Sequence, residues 1–186
     1  MSHAHIIVAP LNHLDRVVAE EEPEQVLSII SPELMPETPL GFAAERHHRI
    51  PVHDISNPEP GMTIPGLRHA EQVLRVAESW SRSGTYVVHC WAGVSRSGAA
   101  ALLTLAALYP GREDEVARYM RSRSIFAQPN RALIRAGDEV LGCQGRLVRA
   151  VEAMSPADLT AYGTPYRMCT SLEPPRRPQP SASSAA

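Results

Sequence analysis

Short apolar runs alternate with segments of helical spacing along the first half of the chain, and the second half keeps only the helical spacing. Three runs read as buried strands: His5–Ala9, Gln25–Ile30 and Tyr86–His89, each short and rich in β-branched residues. Arg49–Ile55 is a fourth candidate, and Pro51, which has no amide to donate, places it at an edge or a strand end. Leu67–Trp80 carries Leu67, Ala70, Val73, Leu74, Ala77 and Trp80 at helical spacing, with Gly84 soon after as a stop. Strand, helix, then buried strand predicts a crossover unit in a largely parallel sheet.

After residue 97 the pattern is helical: Ser97–Leu108, Glu113–Ser122, Arg131–Leu141 and Gly145–Met154. Ser155-Pro156-Ala157-Asp158 has the form of a further helix start, with a capping serine, a proline in the first turn and an acid behind it. Gly41 to Arg49 and Asn57 to Gly66 read as loops, and the chain from Glu173 onward is Pro-, Ser- and Ala-rich without core formers. The expected class is α/β, with a central, mostly parallel sheet of about four to five strands flanked by helices and a helical C-terminal half. The expected organisation is one domain over residues 1–165 and a disordered tail over 166–186.

Composition narrows the chemistry. The 186 residues are 44% hydrophobic and 20% charged with a formal net charge of −2, which suits one ordinary domain and gives no broad basic field for nucleic acid. All 18 basic residues are arginine. Without lysine there is no Walker A lysine, no kinase strand lysine and no Schiff-base lysine. Phosphate, if handled, must be held by arginine, backbone amides and helix termini. The three cysteines, Cys90, Cys143 and Cys169, form no C-x-x-C pair and no disulfide framework. The start of the chain lacks a secretory pattern, and Gly98 to Tyr109 is too short to span a bilayer, so a cytoplasmic location without membrane insertion is expected.

Residues 89–97, His89-Cys90-Trp91-Ala92-Gly93-Val94-Ser95-Arg96-Ser97, sit where an apolar strand ends and an Ala/Leu helix begins. Such a turn aims successive amides and the positive end of a helix at one point, an anion site built from Trp91 to Ser95. Gly93 lets the loop curl tightly. Amides, dipole and Arg96 favour a thiolate at Cys90, and the Arg96 fork matches two oxygens of a tetrahedral oxyanion. A thiolate below a captured phosphoryl group is placed for in-line attack, giving a phosphocysteine. The bland alternative is a buried structural cysteine. Chance placement of 8 His, 3 Cys and 18 Arg yields His-Cys-x5-Arg only ~0.01 times per chain.

This segment closely resembles the His-Cys-x5-Arg-Ser/Thr signature of cysteine-dependent protein tyrosine and dual-specificity phosphatases. The resemblance implies Cys90 as nucleophile and Arg96 as the phosphate-binding arginine. It also implies that Ser97 bonds the cysteine sulfur and assists breakdown of the intermediate, and that His89 organises the loop. Phosphatases of this kind take a general acid from an aspartate some way upstream. The only aspartate between Asp15 and Asp114 is Asp54, 36 residues before Cys90, with Glu59 and His53 as weaker substitutes. Asp54 also fits a plain loop-opening role.

Further candidates carry less. Asn130, in Gln128-Pro129-Asn130-Arg131, either orients water or substrate or simply caps a helix. His47-His48-Arg49 reads as an exposed polar stretch with a possible substrate contact, and neither it nor His3 and His5 has metal-ligand spacing. Cys143 and Cys169 are packing residues or partners for an oxidised Cys90. The expected activity is hydrolysis of phosphotyrosine, with or without phosphoserine and phosphothreonine, in a phosphoprotein or peptide, with no cofactor and no metal. The alternatives are a lipid, inositol phosphate or RNA 5′-end phosphatase, a non-catalytic phosphate-binding module and a sulfur-transfer enzyme. The neutral W-A-G-V-S loop disfavours a highly charged substrate.

Overall fold

The computed structural model describes residues 4–158 and 162–172. Five strands, β1 (His5–Pro10), β2 (Gln25–Ile30), β3 (His47–Pro51), β4 (Thr85–Cys90) and β5 (Tyr166–Cys169), form one sheet in the order β3-β2-β4-β1-β5. The first four run parallel, and β5 pairs antiparallel with β1. Six α-helices surround the sheet: α1 (Leu14–Glu21), α2 (Leu67–Ser79), α3 (Arg96–Leu108), α4 (Glu113–Arg123), α5 (Arg131–Val140) and α6 (Arg146–Glu152).

Both faces of the sheet are covered, which is why the central strands read as continuous apolar runs rather than alternating ones. Ile7 and Ala9 of β1, with Val87 of β4, pack under Leu14, Val17 and Val18 of α1. Ile6 and Val8, with Tyr86, Val88 and Cys90, face the larger core under the remaining helices. α3 runs through that core, buried at eleven of its thirteen positions from Arg96 to Ala106. Gly137 lets α5 approach it closely, since a Cβ added there would lie 2.0 Å from Leu103 Cδ2.

Several boundaries differ from the sequence reading, each for a physical reason. β3 starts at His47 inside the expected loop and ends at Pro51, and Val52 N–H donates to Ile30 O (2.9 Å) before the chain leaves the sheet. β3 is an edge strand, where the missing donor of Pro51 costs nothing. Ser155 to Asp158 are not helical; Asp158 N–H instead donates to Ile125 O (2.9 Å), and residues 159–161 lie outside the described residues. α1 was not anticipated. The domain also extends past residue 165, because Tyr166 and Met168 of β5 are buried beside β1. The start of the expected 166–186 tail is therefore a strand, and residues 173–186 lie outside the described residues.

Candidate active site

Cys90 is the last residue of β4, a central strand, and Arg96 the first of α3, so the five residues between them close the carboxyl end of the sheet. Open α/β sheets place their sites at this end. Gly93 takes φ +68°, and a Cβ there would lie 2.6 Å from Pro10 N and 2.9 Å from Ala9 C, both backbone atoms. Only glycine fits this turn.

Four of the five loop carbonyls accept from backbone amides beyond the loop. Trp91 O accepts from Leu11 N–H (3.1 Å), Ala92 O from Gly163 N–H (2.8 Å) and Val94 O from Gln128 N–H (2.9 Å). Ser95 O accepts from Ala99 N–H (2.9 Å) and Asn130 N–H (3.3 Å). Among the described residues, the amides of Ala92 to Ser95 donate to no backbone carbonyl outside the loop. Carbonyls held outward leave the amides to face an anion.

Within this cradle Cys90 Sγ lies 3.0 Å from Ser97 Oγ, and both residues are buried. Arg96 is 3% exposed, a burial a guanidinium tolerates only when bonded. Its Nη1 donates to Val52 O (2.8 Å) and Ser31 Oγ (3.1 Å), and its Nε, without a hydrogen-bond partner, lies 3.6 Å from Asp54 Oδ2. Asp54 follows β3 and is partly exposed; its Oδ1 accepts from Ser95 Oγ (2.6 Å) and Asn130 Nδ2 (2.9 Å). Asn130 does two things at once, since its Oδ1 also caps α5 by accepting from Leu133 N–H (3.0 Å).

Of the substitutes for Asp54, His53 is engaged away from Cys90 and Glu59 is exposed. His53 Nδ1 accepts from Thr63 N–H (2.9 Å) and its Nε2 lies 3.5 Å from Glu33, while Glu59 O closes a turn with Met62 N–H (3.2 Å). Trp91 is 40% exposed and its ring lies 5.9 Å from that of Tyr162. A cleft of about 500 Å³ opens beside the loop, bounded by Asp54, Ser95, Asn130, Arg131 and the segment 151–157.

The remaining candidates sort by position. Burial, with Glu113 beside it, pushes the Cys143 thiol up to about 11. Cys169 pairs with His5, at the opposite end of β1 from Pro10, the partner of Cys90. Neither thiol shares the site with Cys90. His47 is buried rather than exposed, contrary to the sequence reading, and its Nε2 bonds Ser28 Oγ (2.6 Å). Ser28 Oγ in turn bonds His89 Nε2 (2.5 Å). Ser28, Ser31 and Val52 carried no local sequence signal, because they meet the site only through strand order. Among the described residues no cluster of His, Cys, Asp and Glu has the makings of a metal site, and no helix is long and apolar enough to cross a membrane.

The fold is that of tyrosine and dual-specificity phosphatases. The phosphatase domain of Yvh1 from Chaetomium thermophilum superposes with a TM-score of 0.58 at 19% identity, covering 79% of this chain and 95% of that one. DUSP15 does so with a TM-score of 0.52 at 18% identity over 82% and 94%. PTPMT1, solved in complex with PI(5)P, gives 0.54 at 14% identity over 74% and 90%. No protein-family model matches the sequence. A search of curated proteins gives no significant match.

Proposed function

We propose that this chain is a cysteine-dependent phosphomonoesterase that hydrolyses phosphotyrosine in proteins through a phosphocysteine intermediate. The observation that carries the reading is the convergence of Cys90, Ser97 and Arg96 around one loop whose carbonyls are bonded outward.

In this reading the phosphoryl group sits in the cradle of Trp91 to Ser95 amides. The guanidinium of Arg96, held by Ser31 and Val52 through Nη1, offers its Nε edge to two phosphoryl oxygens. Cys90 Sγ attacks phosphorus in line with the departing oxygen, forming the S–P bond as the P–O bond breaks. Amides and Arg96 stabilise the charge on the equatorial oxygens. Asp54 delivers a proton to the leaving phenolate oxygen. Its Oδ1 already accepts two hydrogen bonds, so Oδ2 is the oxygen that carries the proton. Asp54 then takes a proton from the water that cleaves the S–P bond, and Ser97 donates to the departing sulfur.

The neutral W-A-G-V-S loop and the exposed ring of Trp91 support an aryl phosphate over a polyphosphorylated substrate. A second reading, a phosphoinositide phosphatase, is favoured by the likeness to PTPMT1 and by exposed Arg131 on the cleft. Comparing kcat/KM for a phosphotyrosine peptide, a phosphothreonine peptide and soluble phosphoinositides decides between them. Preference for the phosphotyrosine peptide is expected, and preference for the phosphoinositide overturns the protein-substrate reading.

A further inference from the structure

The chain between α4 and α5, residues 124–130, has no regular structure, so its carbonyls must find partners outside a ladder or a helix. One side chain supplies three of them. Arg121, in the last turn of α4, donates from Nη1 to Ser124 O (3.0 Å) and Ile125 O (2.7 Å), and from Nη2 to Ala127 O (2.7 Å). Ser124 and Ala127 are buried, and among the described residues no backbone amide of a turn, loop or cap donates to Ser124 O or Ala127 O. Charge-assisted bonds of this kind are roughly twice as strong as neutral ones, and a planar fork fixes direction as well as distance.

The segment shaped in this way carries contacts that hold the candidate active site. Gln128 N–H donates to Val94 O (2.9 Å) and Asn130 N–H to Ser95 O (3.3 Å), two carbonyls of the loop that follows Cys90. Asn130 Nδ2 donates to Asp54 Oδ1 (2.9 Å) and Ile55 O (3.2 Å). Ile125 O also accepts from Asp158 N–H (2.9 Å), which ties the cleft wall at residues 155–157 to the same anchor. Arg121 itself is partly buried and lines the cleft. Its Nε is buried and makes no hydrogen bond among the described residues. All three carbonyls are therefore held by the Nη edge, the part of the side chain that a free guanidinium ion reproduces.

We propose that Arg121 is a positioning residue for the general acid: its fork sets the course of residues 124–127 and so aims the Asn130 amide at Asp54. Arg121 acts on the chemistry only through Asn130 and Asp54. Without the fork, buried carbonyls of Ser124 and Ala127 lose their partner, and the segment relaxes toward water to satisfy them. Asn130 moves with it, and the carboxylate of Asp54 loses one of the two donors on its Oδ1. The effect on turnover rests on the phosphatase reading above; the placement of Asn130 does not.

Arg121→Met keeps an apolar stem and removes the fork. With a phosphotyrosine peptide it should lower kcat about 10-fold and leave KM within about twofold, since a misplacement of about 1 Å can cost up to ~10²-fold. An aryl phosphate whose leaving group needs no proton should lose less than about twofold. Guanidinium chloride, far below denaturing concentrations, should restore most of the lost kcat, and tetramethylammonium chloride should restore none. Nitrogen-15 spectra add a readout independent of turnover. The Asn130 side-chain amide, assigned by its loss in Asn130→Asp, should shift in Arg121→Met and return with guanidinium. Equal losses on both esters, an unchanged kcat, no restoration by guanidinium, or an Asn130 signal that does not move overturns the proposal. If Arg121→Met does not fold, wild-type protein decides: separately resolved, slowly exchanging Arg121 Nη protons are expected, and rapidly averaged ones overturn it. If wild-type protein turns over no phosphate ester, the phosphatase reading falls while the Asn130 signal still judges the fork.

Discussion

Asn130 Nδ2 lies 2.9 Å from Asp54 Oδ1, so the residue that starts α5 also holds the carboxylate that follows β3. A general acid acts only when aimed, and apart from Asn130 the hold on Oδ1 comes from Ser95, at the rim of the loop itself. Asp54→Asn should lower kcat for a phosphotyrosine peptide ~10²–10⁴-fold and leave KM nearly unchanged. Asn130→Ala should lower it about 10-fold, with about 1 kcal/mol of stability lost with the cap. An aryl phosphate whose leaving group needs no proton should be far less sensitive to either change. Equal losses on both substrates would remove Asp54 from the acid role.

Ser97 offers a separable test. In the proposed mechanism its hydroxyl, 3.0 Å from Cys90 Sγ, serves the departure of sulfur more than its attack. Ser97→Ala should slow the second step, so rapid-mixing experiments should show a burst of released phenol followed by turnover slowed about 10-fold. A slowed burst with unchanged steady-state turnover would contradict this.

Gly93→Ala tests the cradle rather than the chemistry. Its Cβ would meet Pro10 and Ala9 backbone atoms, and φ +68° adds about 1 kcal/mol or more of strain. A fall in Tm together with loss of phosphate or vanadate protection of Cys90 against alkylation is expected. Unaltered Tm and unaltered protection would mean that the loop adopts another shape.

Acid should weaken the fold before the carboxylates begin to titrate. Burial and neighbouring cations lower His47 to about 4 and His89 to about 3 from the ordinary 6.5. Between pH 6.5 and those values the unfolded chain binds protons that the folded chain refuses. Stability is therefore full above pH 6.5 and falls as pH drops, by up to about 1.4 kcal/mol per pH unit for each histidine. His48 and His69, also lowered, add to the same slope. Urea midpoints at pH 7.5, 6.5, 5.5 and 5.0 measure it. His47→Gln should flatten the curve, and a flat wild-type curve over that range would contradict neutral rings in the folded protein.

Legibility in the sequence followed the range of the interactions. Cys90 to Ser97 could be read because the loop is one continuous segment between a strand and a helix. Asp54 could be picked out because no other aspartate lies between Asp15 and Asp114. Ser28, Ser31 and His47 could not, because their meeting with His89 and Arg96 depends on β2 lying between β3 and β4. Four-residue β5 is too short for its alternating burial to stand out, and β1 supplies its register. His47 looked like loop because its polar neighbours, His48 and Arg49, mask a side chain buried by the fold.

The most direct test is to trap the protein during turnover of p-nitrophenyl phosphate and locate the phosphoryl group. The prediction is one phosphoryl group per chain on the peptide containing Cys90, absent in Cys90→Ser, with turnover abolished in that variant. Full activity in Cys90→Ser, or a label on any other residue, would contradict it.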